Sequence, residues 1–263
     1  MNSFLDILSQ ILLLVCYIFY QTIKHFVMSQ IYYYHFARIM VFVIAFVNPV
    51  FGIGGQEKPL SRYENMAAKG ELEAQLFLAE FYTKGTSTML PNYTKALTYY
   101  KRAAGQGSSE AYYNLGLFHE EGWGIKKNYK KAHAYYIKAA KQGSVEALER
   151  LGVFYYWGLG VQKDYVRARS YFYEAAEQGH IGATFNLGGM YEEGTGGKQD
   201  YLKARLCYEQ AARYGIEDAY VNLGYLYEHG LGVKRDLEKA QAYYKKSSKN
   251  RISFKPVEVF ILR

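Results

Sequence analysis

Cysteine is almost absent from this chain of 263 residues, which holds only Cys16 and Cys207. A disulfide framework is thereby excluded, and two isolated thiols carry no information about redox compartment. Blocks of like charge are missing too. Lys and Arg number 32 against 24 Asp and Glu, a formal charge of +8, but the excess is spread along the chain. A solvated basic face accounts for that better than nucleic-acid binding, which calls for a zinc-finger spacing or a compact Lys/Arg run with interleaved aromatics. Attraction to a membrane surface or an acidic partner is left as a weak electrostatic term.

Catalytic signatures are lacking as well. There is no P-loop and no H-E-x-x-H, because His119-Glu120-Glu121 runs straight into Gly122. The steps G-L-G-V-Q-K and G-T-G-G-K-Q lack a third glycine and begin at helix ends, so they read as linker loops rather than nucleotide cradles. His119, His133, His180 and His229 stand at different points of the pattern described next, which speaks against a shared metal site. His119 takes a slot held by Tyr elsewhere and is expected to be a satisfied core histidine. No cofactor and no metal is expected.

What the chain does contain is one phrase, repeated. From Ala111 it reads A-Y-Y-N-L-G, then G-W-G, N-Y-K-K-A and Y-Y-I-K-A-A-K-Q-G, and it returns at Ala147, Ala183 and Ala219, each 36 positions on. A looser copy starts near Ala74, 37 positions earlier, with its extra residue in the 85–91 loop. A fixed period of this length means supersecondary units that bury their apolar faces only against one another.

Each unit predicts two helices. Counting from the leading Ala, apolar residues fall at 0, +4, +7 and +8, the spacing of one buried stripe. Gly122, Gly158, Gly194 and Gly230 close the first helix, where a left-handed residue is wanted. Asn92, Asn128, Asp164, Asp200 and Asp236 cap the second. Gly116, Gly152, Gly188 and Gly224 lie inside the first helix, where glycine costs ~1 kcal/mol, so a neighbouring helix backbone is expected close by. Pairs such as Tyr135-Tyr136 and Tyr171-Phe172, with Ala139-Ala140 and Ala175-Ala176, fill the space between units as core.

The resulting organisation is an apolar leader at 1–55, a linker at 56–62, the repeat array at 63–250 with a partial leading unit, and a non-repeat tail at 251–263. Within the leader, residues 4–23 are about long enough to span a bilayer. Residues 39–53 carry no charge, follow His35 and Arg38, and are short for a span but suited to a signal-peptide core. A start at Met28 makes this an ordinary export signal, with Val50 and Gly52, or Gly52 and Gly54, supplying the cleavage site. A start at Met1 makes a membrane hairpin or an uncleaved anchor. Either way the chain is expected to be exported (secreted, periplasmic or lumenal) or membrane-anchored.

A-x-x-x-L-G, G-x-G-V, D-x-x-K-A and Y-Y-x-K-A-A-x-x-G together resemble the Sel1-like repeat family, a branch of the tetratricopeptide-like solenoids. The resemblance implies an all-α fold, a right-handed α/α superhelix of antiparallel helix pairs with the first helices lining the concave side. It also implies a non-enzymatic adaptor that binds a protein or peptide. A cysteine-rich bacterial branch is associated with penicillin binding and weak β-lactamase activity. Its paired cysteines are missing here, as are S-x-x-K, S-D-N and K-T-G, which counts against a cell-envelope enzyme. A structural spacer is the third alternative. Gly197, standing where Val161 and Val233 stand in other units, departs from the pattern.

The candidate binding surface lies on the first helices at +3, +6 and +10. Asn114, Arg150, Asn186 and Asn222 would form a polar ladder for an extended segment, with Tyr113, Trp157 and Phe185 as apolar walls. The competing reading has the +3 amides simply hydrogen-bonding the next unit. Arg150 breaks the Asn series, and its guanidinium suits a carboxylate, worth roughly 1.5–3 kcal/mol.

Overall fold

A computed structural model describes residues 59–247 apart from Thr88, so the leader, its two starts and the 251–263 tail lie outside the described residues. The chain divides into two compact units, Met1–Arg62 and Tyr63–Arg263; the second carries the repeats. The described residues form helices only: α1 Pro59–Ala68, α2 Leu72–Lys84, α3 Tyr93–Gly105, α4 Ser109–Glu121, α5 Tyr129–Lys141, α6 Val145–Trp157, α7 Tyr165–Glu177, α8 Ile181–Glu193, α9 Tyr201–Arg213, α10 Glu217–His229 and α11 Leu237–Lys246. Helices α2 to α11 make five antiparallel pairs, and the strongest packing is always between helices adjacent in sequence. This is an all-α solenoid of helix pairs.

Local chemistry sets the boundaries. The side chains of Asn92, Asn128, Asp164, Asp200 and Asp236 each accept from the backbone N–H three residues on, at 2.9–3.0 Å. Four of the first helices end on a glycine in the left-handed region, Gly122, Gly158, Gly194 and Gly230. The first unit differs, for Gly85 leaves its helix with φ 67° and ψ −165°, which matches the longer loop there.

No unit closes its own core. Ala132, Tyr136 and Ala139 of α5 bury themselves against Ala147, Leu151 and Phe154 of α6, which belongs to the next unit. Ala168, Phe172 and Ala175 of α7 do the same against Ala183, Leu187 and Met190 of α8. At ~25 cal/mol per Å² of apolar surface, stability here comes from each interface between neighbours rather than from one central core.

The glycine inside four of the five first helices has a different reason from the one expected. A Cβ on Gly116, Gly152, Gly188 or Gly224 would lie 2.4–2.8 Å from a ring atom of Tyr136, Phe172, Tyr208 or Tyr244. The close neighbour is an aromatic ring of the unit's own second helix, not a helix backbone. The second glycine of each Gly-x-Gly step does more than link. Gly160 has φ +66°, and a Cβ there would lie 2.6 Å from the backbone of Tyr129 and Lys130 at the start of α5. Each loop is therefore pressed onto the first turn of the preceding unit's second helix. Gly197 makes room for Arg169, whose guanidinium hydrogen-bonds Lys198 O and stacks 4.2 Å from the Tyr191 ring. The departure from Val is locally compensated.

Candidate functional site

Position +9, in the last turn of the first helix, holds Glu120, Glu192 and Glu228 in three of the units, and +25 holds Tyr136, Tyr208 and Tyr244. The two meet inside each of these units. Tyr136 donates its hydroxyl to Glu120 Oε2 at 2.5 Å, Tyr208 to Glu192 at 2.6 Å and Tyr244 to Glu228 at 2.7 Å. The +3 residue of the following unit completes the group. Arg150 forms an ion pair with Glu120, and Asn222 hydrogen-bonds the Tyr208 hydroxyl. A Glu–Tyr pair in one unit is thus tied to Arg or Asn in the next.

The unit starting at Ala147 breaks this arrangement at several places together. It has Tyr156 at +9 and Phe172 at +25, and so lacks the carboxylate at the first position and the phenol at the second. Asn186 at +3 of the next unit turns instead to Glu149, donating to Oε1 at 3.4 Å. Glu149 stands at +2, where other units have Tyr113, Phe185 and Val221. The exceptions in the sequence are correlated: removing one polar pair from the boundary came with another pair supplied beside it.

These contacts place the residues expected to bind a partner. Asn186 and Phe185 are buried, with 0% and 2% exposure, and Asn222 is buried too. Asn114 and Tyr113 are half-buried, and Asn114 donates to Glu110 O within its own helix at 2.9 Å. Arg150 is mostly covered, its side chain 13% exposed, and the carboxylate it takes is the chain's own Glu120. Its Nε is buried without a hydrogen-bond partner. Trp157 is exposed at 40% beside Tyr156, whose ring meets it edge-on at 5.1 Å. The face is therefore polar beneath and aromatic at one outer corner.

The model of the Sel1 repeat matches residues 72–108, 109–144, 145–180, 181–215 and 217–251. The chain belongs to the Sel1 repeat family. A crystal structure of c5321, a protective antigen of uropathogenic Escherichia coli strains with an SLR fold, is 37% identical over 73% of this chain, with a TM-score of 0.70. This chain spans only 41% of that one. A Sel1 repeat protein from Oxalobacter formigenes is 31% identical, covers 75% of this chain and 78% of its own, and has a TM-score of 0.63. Among curated protein sequences none matches.

Within the Sel1 units the histidines are not clustered; His119, His133 and His180 are half-buried and His229 is exposed. His119 stacks on Tyr135 at 5.4 Å and 11°, in the slot that elsewhere holds Tyr. Contrary to expectation it is not fully satisfied, since Nδ1 is buried with no hydrogen-bond partner. Burial, then Lys131 and Lys101, push its pKa down. His180 serves as a helix N-cap through Nδ1, accepting from Ala183 N at 3.0 Å in place of the Ser144 used one unit earlier. Among the described residues no group of three or more His, Cys, Asp or Glu is placed to hold a metal ion.

Sequence reasoning missed the Glu at +9, its Tyr at +25 and the Glu149–Asn186 bond. A signal existed, because Glu and Tyr recur in register and disappear from the same unit.

Glu149 yields a pH prediction. Burial, opposed by Arg150 and aided by Glu120, pushes its carboxyl up to about 7. The folded state holds this proton after the unfolded chain has released it. Stability therefore falls as pH rises from the ordinary carboxylate range through about 7, by up to ~3 kcal/mol. Glu149→Gln keeps an acceptor for Asn186 and should remove that term, making the variant more stable than wild type at pH 8 but not at pH 4. Denaturant midpoints at the two pH values measure it, and equal differences at both would count against a proton on Glu149.

Proposed function

We propose that this chain is a non-enzymatic scaffold that binds a protein or peptide partner along the first-helix face, taken as concave, at the boundary of the units starting at Ala111 and Ala147. Sel1 repeat chains are in general helical interaction scaffolds, which supports this reading. The observation that carries it is Trp157, a large aromatic left 40% exposed at the end of α6. Exposed aromatics flanked by polar groups are the residues from which interface hot spots are drawn. Half-buried Tyr113 and Asn114 and the largely covered Arg150 belong to the same face. Asn186, Asn222 and Phe185 lie beneath and hold the face in shape. A ligand carboxylate reaching Arg150 competes with Glu120, so an extended segment with an apolar anchor fits better than a small anion.

Trp157→Ala should weaken partner binding by at least ~2 kcal/mol, about thirtyfold. Quantitative comparison of the proteins retained by immobilised wild type and Trp157→Ala, with circular dichroism to show both folded, checks it. Identical retained sets would remove this face from the reading.

Export or membrane attachment through residues 4–23 and 39–53 belongs to the same proposal. Those segments lie outside the described residues, and among the described ones no helix is long and apolar enough to cross a membrane. The mass of the mature amino terminus tests cleavage directly.

A further inference from the structure

A second surface stands out at the edge of the solenoid where first helices turn into second helices. Contrary to the expectation of a basic excess spread along the chain with no compact run, from Gly122 to Val145 the chain has six lysines and no Asp or Glu, four of the lysines in K-K-N-Y-K-K. Four of them, Lys126, Lys127, Lys130 and Lys131, are exposed in one loop and the first turn of α5. Neighbouring units add to them. Gly124 lies on Tyr93, so this loop rests on the start of α3, whose first turn carries Lys95. Gly160 lies on Tyr129 and Lys130, so the following loop, with Lys163, rests on the start of α5.

The N-caps divide this edge into two halves. In the last three units the cap is Asp, and it pairs with the cation three residues on: Asp164 with Arg167 at 3.3 Å, Asp200 with Lys203 at 3.9 Å, Asp236 with Lys239 at 3.8 Å. In the first two the cap is Asn92 or Asn128, which caps equally well but brings no charge. Lys95 and Lys131 occupy the equivalent cation position, and among the described residues no carboxylate pairs with them or with Lys126, Lys127 or Lys130. The carboxyl half of the edge is neutralised by its own caps; the amino half is not.

We propose that the amino half of this edge, Lys95 with Lys126, Lys127, Lys130, Lys131 and Lys163, docks an acidic polypeptide segment. The aromatic rings decide among anionic partners. Trp123 is stacked on Tyr93 at 5.9 Å and set edge-on to Phe118 at 5.5 Å, and Tyr129 is set edge-on to Phe154 at 5.9 Å. Phe118 and Phe154 are buried and Tyr93, Trp123 and Tyr129 half-buried, so no ring here presents the fully open face on which single-strand binders stack bases or interfacial anchors rest. Carboxylates need only the ammonium groups. Lys127 and Lys163 lie over the Tyr129 and Tyr165 rings at 5.3 and 5.6 Å. A cation held by its ring loses less freedom when a carboxylate arrives. This proposal does not rest on the reading of Trp157, which the Trp157→Ala variant tests by itself.

The test uses the full-length chain and a fluorescent oligo-glutamate peptide at low salt, with phosphatidylserine vesicles and single-stranded oligo-dT as parallel probes. Wild type is expected to bind the peptide, more weakly as salt approaches the physiological ~0.15 M. Replacing Lys126, Lys127, Lys130 and Lys131 by Gln should weaken binding roughly tenfold or more. Asn128→Asp, which installs the cap found one unit later, should weaken it about twofold without loss of helix. Lys198→Gln with Lys203→Gln, on the neutralised half, should leave binding unchanged. No peptide binding by wild type, binding indifferent to the four-lysine change, or tighter binding to vesicles or oligo-dT than to the peptide would each overturn the assignment.

Discussion

Glu120→Ala is expected to lower the unfolding free energy by about 3–5 kcal/mol, the range for removing one partner of a buried ion pair. Glu120 is 5% exposed and is shared by two groups, the Tyr136 hydroxyl and the Arg150 guanidinium. Without it a cation with 13% side-chain exposure and a fully buried phenol both lose their acceptor. The loss falls on the boundary between two units, so it should uncouple them as well as weaken them. Arg150→Asn gives the contrast. It restores the arrangement seen where Glu192 and Tyr208 meet Asn222, and should cost only ~1 kcal/mol. Urea unfolding of the two variants decides the matter. A Glu120→Ala protein within ~1 kcal/mol of wild type would mean that the ion pair is a surface pair in effect.

Gly160→Ala carries the other large effect, about 2–5 kcal/mol, from two additive causes. The residue has φ +66°, a region that costs an L-residue roughly 1–2 kcal/mol. Its new Cβ would lie 2.6 Å from Lys130 N and Tyr129 C, backbone atoms that cannot swing aside as a side-chain end would. Relief requires lifting the loop off α5, and overpacking of that kind costs ~1–3 kcal/mol. Gly105→Ala is the control. It sits at the end of α3 with nothing within 4 Å of its Cβ, and should stabilise by up to ~1 kcal/mol. Thermal melts of both variants check the pair of signs. If Gly160→Ala melts like Gly105→Ala, the loop does not rest on α5 as described.

Much of this fold was legible in the letters because a repeat asks the same local question five times. Asn or Asp before each second helix, Gly after each first helix, and Ala and Leu on one stripe answer caps, turns and burial, which depend on residues a few positions apart. Reading Gly116 correctly as a close-approach residue needed only its recurrence, but the identity of its neighbour, the Tyr136 ring, needed the fold. Likewise the lysines of K-K-N-Y-K-K are plain in the sequence, whereas the stacking of that loop on the start of α3 is not.

The candidate site was harder to read for a definite reason. Variation at +3 looks like tuning for a ligand when each unit is read alone. In the structure Arg150 answers Glu120, thirty residues earlier, and Asn186 answers Glu149, thirty-seven earlier. Those distances cross a unit boundary, and which side chains face one another there is set by how one helix pair seats on the next. The sequence by itself determined the Sel1 solenoid, its unit length, its caps and its glycine turns, because these are local demands repeated in register. Only the tertiary structure decided that Arg150 and Glu149, the odd residues of the unit starting at Ala147, find their partners in the neighbouring units, at Glu120 and Asn186, leaving Trp157 as the one large aromatic of the predicted face that remains exposed. Low-dielectric interfaces between units penalise any polar group without a partner, so a change on one side requires a matching change on the other.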